Sequence, residues 1–282
     1  MSGRRAVCRV ALVLALLGAV SPAVAEPVRV ATLLPYVADA LRRLPEQAVV
    51  VASARRSAVE AVPAGVVDLG NAHAPSLERL ASARPQVVVA DRRLHQVLAD
   101  ALAASGAEVL FVQGDSVEAT FDGLQAVARR VGAEEPMSAW LAEVENQLEQ
   151  LRLAQPLPTL PLFAAPGSLL VITERTWLGD LLGRLGFASV ATGATGKESY
   201  AGYLEVSPEV LAAARPRLAL LLCHSDPQAA EQAFRRRFEP LLPEAVPVHA
   251  LDPALFTTNP GLGMADAARA LIDLARPLEA AR

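Results

Sequence analysis

The residues of this 282-residue chain best suited to chemistry are four histidines, two arginine pairs and a handful of rings. His73, His95, His224 and His249 carry nitrogens able to ligate a metal near neutral pH. Arg55-Arg56 and Arg92-Arg93 each follow an apolar, β-rich run. A guanidinium fork at such a position grips a carboxylate or a catecholate at two points. Aromatic residues make up only 4% of the chain, so Trp177, Tyr200 and Tyr203 stand out. Their rings are suited to stacking on flat molecules. Bond-making chemistry has no comparable signal. There is no Gly-x-Ser-x-Gly elbow and no Ser/His/Asp set placed by the pattern. Gly193-Ala-Thr-Gly196-Lys197-Glu198 looks like a phosphate loop, but its glycines are too close and Glu follows the Lys. The residues point to holding a ligand.

These side chains need elements to position them, and the pattern supplies strands alternating with helices. Apolar strand-length runs fall at 28–33, 48–52, 66–69, 87–90 and 107–112. Helical stretches fall at 35–44, 75–83 and 94–104, and another runs to Val131 from a Ser116 cap. This order predicts a mainly parallel sheet with helices on both faces. Met137, Leu141, Val144, Leu148 and Leu151 then recur at helical spacing, which predicts one long helix over 134–153. The Pro-rich stretch 155–161 breaks it. A second set follows, with strands at 160–164, 169–172, 218–223 and 246–251, and helices at 176–185, 208–214, 227–238 and 261–274. The residues 259–263 read as a turn entering the last helix. The expected fold class is therefore α/β: two Rossmann-like lobes with mainly parallel sheets, joined by a single long backbone helix. Ligands bind open sheets at the carboxyl ends of their strands, which places a crevice between the lobes. A single stiff helix between lobes predicts a small closure.

The expected organisation is 1–25 as a signal peptide, 26–133 as the first lobe, 134–155 as the backbone helix and 156–282 as the second lobe. The first segment has Arg4 and Arg5, an apolar run over 10–20 and Ala23-Val24-Ala25, the layout of a secretory leader cleaved after Ala25. The run is too short for a membrane span of about 20 residues. Cleavage leaves 257 residues and takes the formal charge from −4 to −7, because Arg4, Arg5 and Arg9 go with it. That charge argues against a nucleic-acid partner. Cys8 is also removed, and Cys223 reads as a buried, inert thiol. Of 26 basic residues only Lys197 is a lysine, a bias of composition that carries no functional weight.

Four segments carry a family resemblance. SLERLASARPQVVVAD (76–91), LAASGAEVLFVQGDSVEATFDGLQAVARRVG (102–132), WLGDLLGRLGFASVA (177–191) and YLEVSPEVLAAARPRLALLL (203–222) occur in order across both lobes. Together they resemble the periplasmic substrate-binding proteins of ABC importers, in the branch with a helical backbone that takes up ferric siderophores, cobalamin and haem. Gln86 and Arg217 depart from the Asp that the branch often has after Pro. The resemblance implies a periplasmic receptor without catalytic activity or cofactor, acting as a monomer and delivering cargo to an inner-membrane permease dimer. Glu78 and Glu209 match the glutamates that pair with permease arginines, one per lobe. Tyr36, Arg56, His73, Arg92, Trp177, Tyr200, Tyr203, His224 and Phe256 are the expected ligand contacts, with Arg55 and Arg93 beside them. A ferric siderophore is the first cargo implied, cobalamin the next, then haem or a metal ion. Receptors for bare metal ions usually carry a His near the position of Gly114-Asp115-Ser116, and none is present, so a direct metal site ranks below the chelates. His249 reads as a packing residue. The rivals are a secreted α/β hydrolase, which would need a nucleophile at a strand–helix turn, and a sensor that keeps the receptor fold.

Overall fold

The computed structural model describes residues 26–56, 61–165, 168–191, 197–205, 207–224, 226–242 and 246–280. The leader and the glycines of the phosphate-loop look-alike lie outside the described residues.

The first lobe is built from β1 (Val28–Thr32), α1 (Pro35–Leu41), β2 (Ala48–Ser53), β3 (Val67–Asp68), α2 (Leu77–Ala83), β4 (Val87–Asp91), α3 (Arg92–His95), α4 (Ala99–Ala103), β5 (Glu108–Val112) and α5 (Val117–Val131). Its five strands run parallel in the order β3-β2-β1-β4-β5. Val87–Asp91 is buried throughout, as a central parallel strand covered on both faces must be. Caps are legible in the sequence: Ser116 accepts the Ala119 N–H at 3.0 Å, and Gly132 ends α5 in the left-handed region at φ 72°.

The second lobe contains β6 (Leu157–Ala165), β7 (Ser168–Ile172), α7 (Trp177–Leu185), β8 (Phe187–Ser189), β9 (Glu198–Tyr200), β10 (Tyr203–Glu205), α8 (Pro208–Ala213), β11 (Leu218–Leu222), α9 (Pro227–Arg237), β12 (Val248–Ala250), α10 (Pro253–Phe256) and α11 (Met264–Ala280). Its sheet is mixed. β12, β11 and β6 are parallel, whereas β7, β10 and β9 continue the order as antiparallel neighbours. The Pro-rich breaker is largely strand. β8 pairs with the start of β6 and β7 with its end. Pro161 falls in the gap between them, opposite neither, where a missing N–H costs least. A cavity of about 230 Å³ sits there, between this gap and α7, inside the lobe and apart from the crevice.

The lobes are joined by α6 (Glu134–Gln150), shorter than the periodicity predicted. It ends at Leu151, and the Leu153 N–H turns away to the Leu185 carbonyl at 2.9 Å. Met137 and Leu141 complete the first lobe's core with Val127 and Val131. Val144 and Leu148 complete the second lobe's core with Leu185 and Leu271. No helix among the described residues is long and apolar enough to cross a membrane.

Candidate functional site

The crevice is lined by loops at the carboxyl ends of strands. The loop after β3 carries His73 and is tightly held. The Ser76 N–H closes it onto the Leu69 carbonyl at 2.9 Å, and the His73 N–H meets Asn71 Oδ1 at 2.9 Å. Beneath it lies His95, fully buried. Its Nδ1 accepts the Asp91 N–H at 2.9 Å, so its proton sits on Nε2, which donates to the Ala72 carbonyl at 2.8 Å. Burial pushes the pKa of His95 down. This neutral imidazole anchors the backbone next to His73. His95 is therefore a support for the crevice rather than part of it.

His224 is exposed just after β11 in the second lobe. Phe163 at the end of β6 meets the His224 ring edge-on at 5.0 Å, and meets Tyr203 the same way at 5.6 Å. Partial desolvation lowers the pKa of His224, and the nearby His73 lowers it further. Two exposed imidazoles from opposite lobes thus lie close enough for His73 to act on His224. Burial raises the pKa of Tyr203, which keeps its phenol protonated at neutral pH. Phe163 has no sequence signal beyond its place at the end of a strand.

The arginines are largely engaged within the protein. Arg55 Nε donates to Asp68 at 2.7 Å, and that pair holds the Asp68 carboxyl below its usual range. Arg56 pairs with Asp39 and reaches Thr258 of the other lobe at 3.1 Å. Arg93 pairs with Asp115 at 2.8 Å and reaches the Arg175 carbonyl across the crevice at 3.3 Å. Arg175 in turn meets Glu198 at 3.1 Å. Arg92 is exposed and lies over the Phe111 ring at 5.8 Å.

The ring candidates divide. Tyr200 is exposed on β9 and Tyr203 borders the crevice beside Phe163. Trp177 and Phe256 do not line the crevice. They stack nearly parallel, centroids 6.4 Å apart, in the second lobe's core, with Phe256 only 1% exposed. Both lie on helices, Trp177 opening α7 and Phe256 closing α10, which turn the two rings into the core. Tyr36 is likewise buried, wedged at the floor between the lobes. Burial and the charges of Asp91 and Asp115 push its phenol up. His249 is on β12, in register with Leu220. Cys223 is buried, with Sγ 4.0 Å from the Leu251 carbonyl.

The floor also holds a residue read only as part of a turn. Asn259 Nδ2 donates to the Gly114 carbonyl at 3.1 Å and to Thr120 Oγ1 at 2.6 Å, both in the first lobe. Its Oδ1 accepts the Gly261 N–H at 2.8 Å. Asp180 of α7 adds a further tie, accepting the Val117 N–H at 2.8 Å.

Glu78 and Glu209 occupy equivalent places. Each is the second residue of a helix capped by a serine, Ser76 on α2 and Ser207 on α8. Both carboxylates are exposed. The Ser207 side chain lowers the pKa of Glu209. An anion in a first helical turn is stabilised by the helix dipole, so the pattern carries a structural role whatever else it does.

With this geometry in view, the likeness to known proteins is informative. A family model described as periplasmic binding protein matches residues 9–240. No curated protein sequence matches the chain. Among solved structures, the haem complex of IsdE from S. aureus is 19% identical, with a TM-score of 0.72 over 88% of this chain and 98% of that one. The periplasmic haem-binding protein HutB of Vibrio cholerae is 19% identical, with a TM-score of 0.69 over 89% and 99%. The petrobactin-binding protein YclQ from Bacillus subtilis is 14% identical, with a TM-score of 0.70 over 89% and 92%. At these identities the structures establish the fold, and the family match establishes kinship. The chain belongs to the periplasmic binding protein family, whose members hold solutes for ABC importers and do not transform them.

Proposed function

We propose that the protein is an extracytoplasmic receptor for a planar iron chelate, with haem as its best-fitting cargo. The observation that carries this reading is the pair His73 and His224, exposed on opposite lobes, with His73 close enough to act on the His224 imidazole. Neutral imidazoles are good ligands for iron. A macrocycle brings its own equatorial ligands and asks the protein for one or two axial ones. A bare ion asks for three or four, and no such group of His, Cys, Asp or Glu is gathered among the described residues. Phe163 and Tyr203 add ring surface beside His224. IsdE and HutB, described as haem-binding, have the same fold.

This reading ranks haem above the ferric siderophore that the sequence resemblance puts first. An anionic siderophore calls for cationic side chains, and Arg55, Arg56 and Arg93 already meet carboxylates. The exposed Arg92 and the likeness to YclQ support the siderophore as the second reading. Cobalamin completes the comparison panel. Export through residues 1–25, action as a monomer and docking of Glu78 and Glu209 on a permease dimer belong to the same proposal. Two anionic knobs, one per lobe, would fix orientation as well as provide attraction.

The test is a titration with haem, read by the Soret band and by thermal shift, beside a ferric siderophore and cobalamin. At 100 times its dissociation constant the cargo stabilises by about 2.7 kcal/mol. Haem is expected to shift both signals, and His73→Ala and His224→Ala each to weaken binding. Silence with haem and stabilisation by the siderophore would overturn the reading. Unchanged uptake after charge reversal at Glu78 and Glu209 would sink the docking assignment.

A further inference from the structure

We infer that Asn259 is a positioning residue that locks the two lobes at one aperture before any cargo arrives. Three of the four hydrogen-bonding directions of its amide are used. Both Nδ2 protons are donated into the first lobe, to the Gly114 carbonyl at 3.1 Å and Thr120 Oγ1 at 2.6 Å. Oδ1 accepts the Gly261 N–H at 2.8 Å within its own loop. Thr120 is itself oriented, since its hydroxyl donates to the Ser116 carbonyl at 2.7 Å. Asn259 and Thr120 are both buried, so water is a poor substitute for these partners.

The backbone around the lock leaves no slack. A Cβ on Gly114 would lie 3.1 Å from Tyr36 Oη and 3.3 Å from Asn259 Nδ2. Gly261 has φ +56°, and a Cβ there would lie 3.0 Å from the Tyr36 side chain. Two glycines on different lobes therefore let the loop 257–263 seat against α1 and α5. Tyr36 Oη itself has no hydrogen-bond partner. Asn259 thus supplies the buried side-chain donors of this floor, beside the Val117 N–H that Asp180 accepts at 2.8 Å. Thr258, one residue earlier, receives Arg56 from the first lobe at 3.1 Å and extends the same seam. The lock concerns the empty protein and holds whichever cargo is carried.

Nitroxide labels on the exposed positions Glu78→Cys and Glu209→Cys measure the lobe separation by pulsed EPR in cargo-free protein. Cys223 is buried and stays unlabelled. The expected result is one narrow distance peak for the parent. Asn259→Asp keeps the shape but turns the donor into an acceptor facing the Gly114 carbonyl. It is expected to lose the narrow peak and spread to other separations. Thr120→Val, which keeps shape and removes one acceptor, is expected to broaden the peak less. Far-UV circular dichroism is expected to stay at the parent value in both. Asn259→Asp that overlays the parent, or that lowers the melting temperature with the peak unmoved, would overturn the inference. So would a broad distribution in the parent.

Discussion

The two lobes share a fold plan and use it differently. The first lobe has five parallel strands, so each delivers its carboxyl end to the crevice, and those ends carry charged and polar side chains. Arg55, Arg56 and Arg93 sit there, each tied to an aspartate. The second lobe inserts antiparallel β7, β10 and β9 beside its parallel strands. That edge brings Tyr200 and Tyr203 forward, and Phe163 joins Tyr203 to His224. One wall is an ion-paired rim and the other a ring-lined face, each offering one histidine. The lesson is that strand direction decides what a crevice wall is made of: parallel ends give loops, while an antiparallel edge gives side chains of the strands themselves.

Breaking the ring-lined wall from behind should have the largest effect. Phe256→Ala empties a core site stacked on Trp177 and is expected to cost about 3–5 kcal/mol in denaturant unfolding. Tyr200→Ala, on an exposed ring, is expected to leave the unfolding midpoint unchanged. Next comes the histidine pair. His224→Ala and His73→Ala should each reduce haem affinity, by on the order of 10–100-fold, equivalent to about 1.4–2.7 kcal/mol. If only one of them does, the cargo is held by one wall.

A smaller effect separates the support from the ligand. Burial depresses the pKa of His95 in the fold, so the unfolded chain takes up that proton first. The stability His95 contributes is therefore complete above about pH 6.5 and lost as the pH falls through its folded value. Urea midpoints should fall between pH 7.5 and pH 5, and His95→Gln should flatten that slope. The smallest effect is expected at Arg55→Ala. Its pair with Asp68 is solvent-exposed, so the melting temperature should not move, and haem affinity should stay at the parent value. A loss of siderophore binding in the same variant would instead favour the second reading.

The parallel strands were legible because buried strands read as continuous apolar runs, as in Val87–Asp91. Helix ends were legible where Ser116, Thr176 and Gly186 supply local cap chemistry. The strands β8, β9 and β10 were not, since FAS, ESY and YLE mix polar and apolar residues over three positions and form no apolar run of the kind that holds β3 and β12. At the site, residue type and strand-end position single out His73, His224 and Tyr203, the residues proposed here to meet cargo. They could not separate these from Trp177 and Phe256, because whether a ring faces core or crevice depends on what the other helices leave unfilled. Asn259 was invisible for a sharper reason. Its partners, Gly114 and Thr120, lie more than a hundred residues away and involve a backbone carbonyl that no motif encodes.

The helix shared by both cores has a consequence for how the chain comes to be folded. A polypeptide emerging amino end first exposes the strands of the first lobe early, yet its core lacks Met137 and Leu141 until the following helix has formed. The far half of that helix then presents Val144 and Leu148, whose cover begins with Leu185 and is complete only when Leu271 of α11 arrives. Completion is therefore deferred until α11 has been made. A chain truncated after Gln150 would keep a sheet of all five of its strands and still display a greasy flank, a natural handle for chaperones and proteases.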